Sequence, residues 1–309
     1  MACVSVIMPV FNRPSAALRA ARSALASEIL SDDNIELILV DDCSSPSLTL
    51  SDLNVAAVRV LRLDCNRGPA AARNAGVLAA RGDYIAFIDS DDVWLPGKLA
   101  RQLVELRASL MSTPDALVAS SCGFYYPNRR TGRLEARMPI PGVAPGDFAS
   151  GCWSAPGTTL VTRRLAFDRV GLFDESLRRL EDYDWLLRFA LAGGRLDIAD
   201  VMGAVIAPSG QARSAVVERS VAQLEAKYAA SGSRPLPSAL LRRFLAYMAL
   251  ERGAALLADG HRLAGAAHLA TSLAVKPRKT MALCKFWYTN RTVPEEVAEI
   301  YRGLEMHRD

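Results

Sequence analysis

Asp89, Asp91 and Asp92 place three carboxylates within four residues, directly after the apolar run Tyr84 to Ile88. Like charges delivered together need a cation to offset their repulsion. Carboxylate oxygens suit Mg²⁺ or Mn²⁺, which take one or two protein carboxylates and complete their shells with water and substrate phosphates. The plainer reading is an acidic turn in which Asp92 caps the next helix. A second pair, Asp41-Asp42, follows the run Ile35 to Val40. A third, Glu181-Asp182, precedes Trp185, Leu186 and Phe189, an apolar stripe able to dock a helix and fix its first carboxylates. A carboxylate held apart from the others suits a general base, and a simple helix N-cap is its structural alternative.

Other chemistries lack their residues. The three histidines (His261, His268, His307) all lie in the last 50 residues, which argues against a histidine zinc site or a Ser-His-Asp triad. The six cysteines show no C-x-x-C pair. Neither G-x-G-x-x-G nor G-x-x-x-x-G-K-[ST] occurs, so a bound diphosphate would be held by metal and basic side chains. A net charge of +4 does not point to nucleic acid. No apolar run reaches the ~18 residues of a membrane span, and the N-terminus enters a strand without signal-peptide character. A cytoplasmic setting is expected.

The elements that position these groups alternate. Val4 to Met8, Ile35 to Val40, Val58 to Leu63, Tyr84 to Ile88 and Ala116 to Ser121 read as strands. Ser15 to Ala26, Pro69 to Ala80 and the stretch after Pro96 read as helices. Such alternation predicts an α/β fold with a mostly parallel sheet covered on both faces. Ligands then bind beyond the carboxyl ends of the strands, where the acidic clusters fall. Residues 122–160 read as irregular or hairpin structure, with Trp153 either stacking on a ligand or packing in the core. Short helices follow at Arg164 to Val170 and Asp182 to Ala192, then one or two strands over Leu196 to Ile206.

Five pieces in order resemble the inverting glycosyltransferases of family 2, which have the GT-A fold. They are Val4 to Asn12; Val40-Asp41-Asp42-Cys43-Ser44; Asn66-Arg67-Gly68 with Ala72-Arg73-Asn74-Ala75-Gly76; Gly82 to Asp92; and Arg179 to Arg188. The resemblance covers roughly residues 3–215. It implies transfer of a sugar from a nucleotide diphosphate sugar, with UDP favoured, to a hydroxyl acceptor in surface polysaccharide or glycolipid synthesis. By match to the D-x-D motif it assigns Asp91 as metal ligand, with Asp89 beside it on the metal's waters or the ribose. Asp42 would accept from the uracil imide, with Asp41 sharing that role or turning into its loop. Pro9 and Phe11 would wall the base, with Asn12 and Gly68 in the same donor site. Arg73 would approach the diphosphate or serve only as a salt bridge to the sheet. Asp182 matches the catalytic base, with Asp184 next. One departure concerns the metal: relatives often carry a histidine before a serine where this chain has Ala207 to Ser214, without histidine. The alternatives are a sugar-1-phosphate nucleotidyltransferase and a non-catalytic nucleotide-sugar-binding relative.

The boundaries that follow are a catalytic domain over 1–214, divided at 121/122 into nucleotide-sugar and acceptor halves, and an all-α extension over 215–309. Between Gly260 and Pro294 there is no acidic residue, but Arg262, Lys276, Arg278, Lys279, Lys285 and Arg291 accompany Phe286, Trp287 and Tyr288. That stretch suits peripheral contact with an anionic membrane, where a lipid-linked acceptor would lie. Its alternative is packing against the catalytic domain or a second copy of the chain.

Overall fold

The computed structural model describes residues 3–27, 33–48, 58–128, 131–207, 213–275, 287–288 and 291–306. Strands β1 (Cys3–Val10), β2 (Asn34–Asp41), β3 (Val58–Arg62) and β4 (Tyr84–Phe87) are mutually parallel in the order β4-β1-β2-β3. Helices α1 (Pro14–Leu25) and α2 (Pro69–Ala79) make the crossovers. Side chains alternate across the sheet with the period of two that a strand imposes. Val4, Val6 and Met8 pack with α1 and with α3 (Lys98–Ser112) in one core, while Ile7, Ile38 and Val40 belong to the core of the opposite face.

Beyond β4 the sheet becomes mixed. A two-residue β5 (Val93–Trp94) follows the acidic cluster, then β6 (Val118–Pro127), β7 (Leu134–Pro139), β8 (Val161–Arg163) and β9 (Arg195–Val205). The pairs β4–β8, β8–β6, β6–β7 and β5–β9 are antiparallel, and β6–β9 is parallel. The fifth predicted strand is longer than its sequence suggests. It runs through Phe124 to Pro127 because these residues pair with Leu134 to Arg137 in a hairpin. The remainder of 122–160 includes two four-residue helices, α4 (Pro145–Phe148) and α5 (Pro156–Thr159). Helices α6 (Leu165–Val170) and α7 (Glu181–Leu191) complete this half.

The C-terminal part contains α8 (Ser214–Tyr228), α9 (Ser238–Ala258), α10 (Arg262–Val275) and α11 (Glu295–Met306). It does not build a core of its own. Val221, Leu224 and Tyr228 of α8, with Phe244, Tyr247 and Met248 of α9, are buried in the same cluster as Phe87, Trp185 and Phe189. Burying such side chains contributes ~1.5–3 kcal/mol each, so the chain is continuous in energy across residue 214. Within the basic tail, Trp287 and Tyr288 form β10 on the edge of β7. Lys276, Arg278, Lys279, Lys285 and Phe286 lie outside the described residues. Among the described residues no helix is long and apolar enough to cross a membrane.

Candidate active site

The register of the parallel strands decides where the chemistry sits. Val10 pairs with Asp41 and Ile7 with Phe87, so β1, β2 and β4 end together. Chain direction around the sheet reverses beside β1, which opens a crevice at the strand ends. A cleft of about 660 Å³ lies there. Pro9, Phe11, Asn12, Asp42, Gly68, Arg73, Asp89 and Asp91 all line it. The loops after β1 and β2 are tied reciprocally: the Asn12 N–H donates to Ser44 Oγ (2.9 Å), and the Ser45 N–H donates to Asn12 Oδ1 (2.8 Å).

The two aspartates after β2 separate in role. Asp41 turns into its own loop, accepting from the Ser44 N–H (2.8 Å) and from Arg62. Burial alone would raise its carboxyl, but Ser44, the Leu48 N–H and Arg62 outweigh burial and hold it low. Asp42 faces the cleft and accepts from the Arg67 and Gly68 N–H groups at 2.7 and 2.8 Å. One N–H per oxygen leaves each oxygen a further lone pair for a ligand donor. Gly68 has φ +90°, and a Cβ there would meet Arg178 Nη1 at 2.6 Å, so glycine is required.

After β4 the acidic residues also diverge. Asp91 is ion-paired with Arg13, and Asp89 accepts from Arg73 Nη2 at 2.6 Å. Their side chains are 22% and 37% exposed, open to the cleft. Burial and the nearby Asp89 push Asp91 up, while Arg13 pulls it down. Asp92 is buried; its carboxylate accepts from Thr158 Oγ1 and from the Ala207 N–H (2.8 Å). The reading of Asp92 as a helix cap is therefore corrected: β5 intervenes, and α3 begins after Gly97. Burial, then Asp91 and Asp89, drive Asp92 well above the ordinary carboxylate range. Gly157 closes this wall, where a Cβ would lie 2.5 Å from Asp89 Oδ2.

Among the described residues no group of three or more His, Cys, Asp or Glu is arranged to hold a metal ion. Two cleft-facing carboxylates are nonetheless the protein donor set that Mg²⁺ or Mn²⁺ accepts when phosphates and water complete the shell. Asp89 and Asp91 fit that requirement; the buried, engaged Asp92 does not. Ser209 and Gln211, which stand near the expected histidine, lie outside the described residues.

Asp182 occupies the first turn of α7, after Leu180 at φ 65° in the N-cap position. It is thus not the N-cap. It lines a second chamber, of about 380 Å³, that shares Arg73, Asp89, Arg179 and Glu181 with the first. Burial and Glu181 raise its carboxyl, Arg73 and Arg179 pull it back, and it rests at about 6. Asp184 cannot substitute for it. That residue is fully buried, bound to Arg188 Nε, Tyr228 Oη and Lys227 Nζ, each at 2.8 Å, and anchors α7 to α8. Arg73 makes the ion pairs that the salt-bridge reading expected, with Glu181 Oε1 (2.7 Å) and Asp89, and it lines both chambers. Trp153 is a packed side chain, against Phe148 with its Nε1–H on Ile140 O (2.8 Å), whose edge reaches the second chamber. Sequence reasoning missed Arg13, Asn66, Arg178 and Arg179 as cleft residues. The Arg178-Arg179 pair ahead of an acidic motif was the available signal.

A parallel sheet with a two-carboxylate crevice at its strand ends, extended by a mixed half, is the GT-A fold. Staphylococcus aureus TarS shares it. The TarS 1–349 structure in complex with UDP-GlcNAc superposes with a TM-score of 0.56 at 16% identity, over 98% of this chain and 87% of that one. Its complex with UDP gives 0.52 at 15% identity, covering 94% of each. Residues 5–152, just under half of the chain, match the model of glycosyl transferase family 2, and curated glycosyltransferase relatives support the same family. The succinoglycan biosynthesis protein ExoO of Rhizobium meliloti is 32% identical over 210 residues, 65% of this chain and 59% of that protein. An uncharacterised glycosyltransferase of Haemophilus influenzae is 28% identical over 60% of this chain and 61% of its own length. The chain thus spans about three-fifths of these curated relatives.

Proposed function

We propose that the protein transfers a sugar, with inversion, from a UDP-sugar to a hydroxyl of a saccharide or lipid-linked saccharide in surface polysaccharide synthesis. The observation that carries this reading is the pair of joined chambers. One holds the donor-type residues; the other holds a half-buried carboxylate at about 6, ionised at neutral pH but basic enough to take a proton. Inversion in one displacement needs a base on the face opposite the leaving group, and Asp182 stands on the acceptor side.

In the proposed step Asp182 takes the acceptor hydroxyl proton as that oxygen bonds to the anomeric carbon. The bond from that carbon to the diphosphate oxygen breaks, and its electron pair leaves with the UDP. Arg178 and Arg179 line the cleft where this charge develops. Asp91 and Asp89 would hold Mg²⁺ or Mn²⁺, whose bound form supplies Lewis-acid stabilisation of the diphosphate. Asp42 would receive the uracil imide between the walls formed by Pro9 and Phe11.

The names of the relatives support the setting: one is a succinoglycan biosynthesis protein, and another is the putative colanic acid biosynthesis glycosyl transferase WcaA of Escherichia coli K12, 38% identical over 101 residues. Incubation with Mn²⁺ and a panel of nucleotide sugars tests the reading. Slow release of UDP from a UDP-sugar is expected. Turnover of sugar-1-phosphate with a nucleoside triphosphate would instead mark a nucleotidyltransferase, and binding without any release a non-catalytic relative.

A further inference from the structure

Two residues of the acceptor chamber come from the C-terminal helices, far beyond residues 5–152. Tyr247 and Glu251 lie one turn apart on α9, on one helix face, and both line the chamber that contains Asp182. The Tyr247 phenol lies beside the Glu251 carboxylate, which together with burial holds that phenol protonated. Its ring lies 4.8 Å from that of Tyr183, the residue after Asp182. Arg252 turns away to Glu218 and Glu225, and among the described residues no cation pairs with Glu251. A cleft-facing carboxylate with one neutral donor has acceptor capacity left over. Beside it the Tyr183 hydroxyl is buried with no hydrogen-bond partner among the described residues. Such an atom costs ~1–3 kcal/mol unless water or a ligand reaches it. Burial, with Asp182 and Glu251 close by, keeps the Cys152 thiol protonated, so it lines the chamber without acting as a nucleophile.

The geometry points to α9 as a wall of the acceptor site, with Glu251 and Tyr247 selecting a neutral saccharide. Aromatic edges of Tyr126, Trp153 and Tyr247 surround the chamber, and a carboxylate among aromatics suits a pyranose whose hydroxyls donate to it. Asp89, Asp92, Glu181, Asp182 and Glu251 outnumber Arg73, Arg137 and Arg179 around the same space, which disfavours an anionic ligand. The inference rests on the transferase reading and names its acceptor class.

Glu251→Gln keeps the shape and Tyr247→Phe keeps the ring. Each is compared with wild type for UDP-sugar hydrolysis, for UDP affinity, and for acceptor KM across a panel of p-nitrophenyl pyranosides, with saturation-transfer NMR of the same glycosides on the UDP-loaded protein. For Glu251→Gln the acceptor KM should rise at least about tenfold and saturation transfer should fade, while hydrolysis and UDP affinity stay within about twofold. Tyr247→Phe should raise KM less, with the same split. Unchanged acceptor KM in both variants overturns the inference, as does a parallel loss of hydrolysis, which would make the residues structural. Hydrolysis by wild type without saturation transfer to any pyranoside also overturns it and leaves the transferase reading standing. Wild type that neither binds UDP nor releases it from any UDP-sugar removes that reading and the inference together.

Discussion

Asp182→Asn tests the base most directly. The carboxyl rests at about 6 because burial, then Glu181, disfavour its charged form, against the counter-pull of Arg73 and Arg179. A base must be unprotonated to work, so kcat/KM should rise with pH through about 6 and level off above it. At pH 7 about nine-tenths of the carboxyl is ionised; at pH 5 only about one-tenth is, and rate should fall about tenfold per unit below that. Asn keeps the Oδ1 that receives the Tyr183 N–H at 2.7 Å, so the first turn of α7 should hold. It also removes a half-buried group that resists ionisation. With the folded value raised, the carboxylate costs stability that grows as pH rises from the unfolded value to about 6 and is constant above that. The variant should therefore be no less stable than wild type at pH 8. Losing a positioned base should cost about 10²- to 10⁴-fold in rate. The assay is UDP release with acceptor present, from pH 4.5 to 8.5, alongside thermal melts and UDP titrations. Retention of more than about a tenth of wild-type rate, or an unchanged acid limb in the variant, would refute the assignment.

UDP binding should require a divalent cation, and Asp91→Ala should abolish that requirement with most of the affinity; equal calorimetric binding in EDTA and in Mn²⁺ argues against a metal at Asp89 and Asp91. Phe244→Ala should destabilise the whole chain by about 3–5 kcal/mol in one cooperative transition, since Phe244 is fully buried in the shared core. A separate early transition in calorimetry, leaving UDP binding intact, would mean that the extension unfolds alone. Wild type should float with anionic vesicles at low salt and be released as salt rises, if the basic stretch at 260–294 docks on membrane. Recovery in the soluble fraction at low salt would assign that stretch a structural role.

The parallel half of the fold was legible because each strand is a short apolar run closed by polar residues, and the register of β1, β2 and β4 carries those closures to one edge. Asp42, Asp89 and Asp91 stand out in sequence because carboxylates clustered at strand ends repel one another, and Asp182 because the apolar stripe behind it fixes the start of its helix. β5 was not legible, since two residues carry no periodicity and its pairing with β9 is made more than 100 residues away. The fate of Asp92 depends on Thr158 and Ala207, which no local pattern connects to it. Tyr247 and Glu251 were hidden for the same reason: α9 reads as an ordinary amphipathic helix, and only tertiary packing turns that face toward Asp182.

Arg73 fixes a length scale. Its guanidinium spans from Asp89 on one side to Glu181 on the other, so the partition between the chambers is a single rigid plane with a charged contact at each edge. Widening either chamber by a mutation in its outer wall leaves that partition in place. Substrates of different girth can be accommodated outward, toward Phe11 or toward α9, but not by moving the two reacting partners apart. Diversification of such a chain is therefore expected at its perimeter, while the separation between donor and acceptor stays constant.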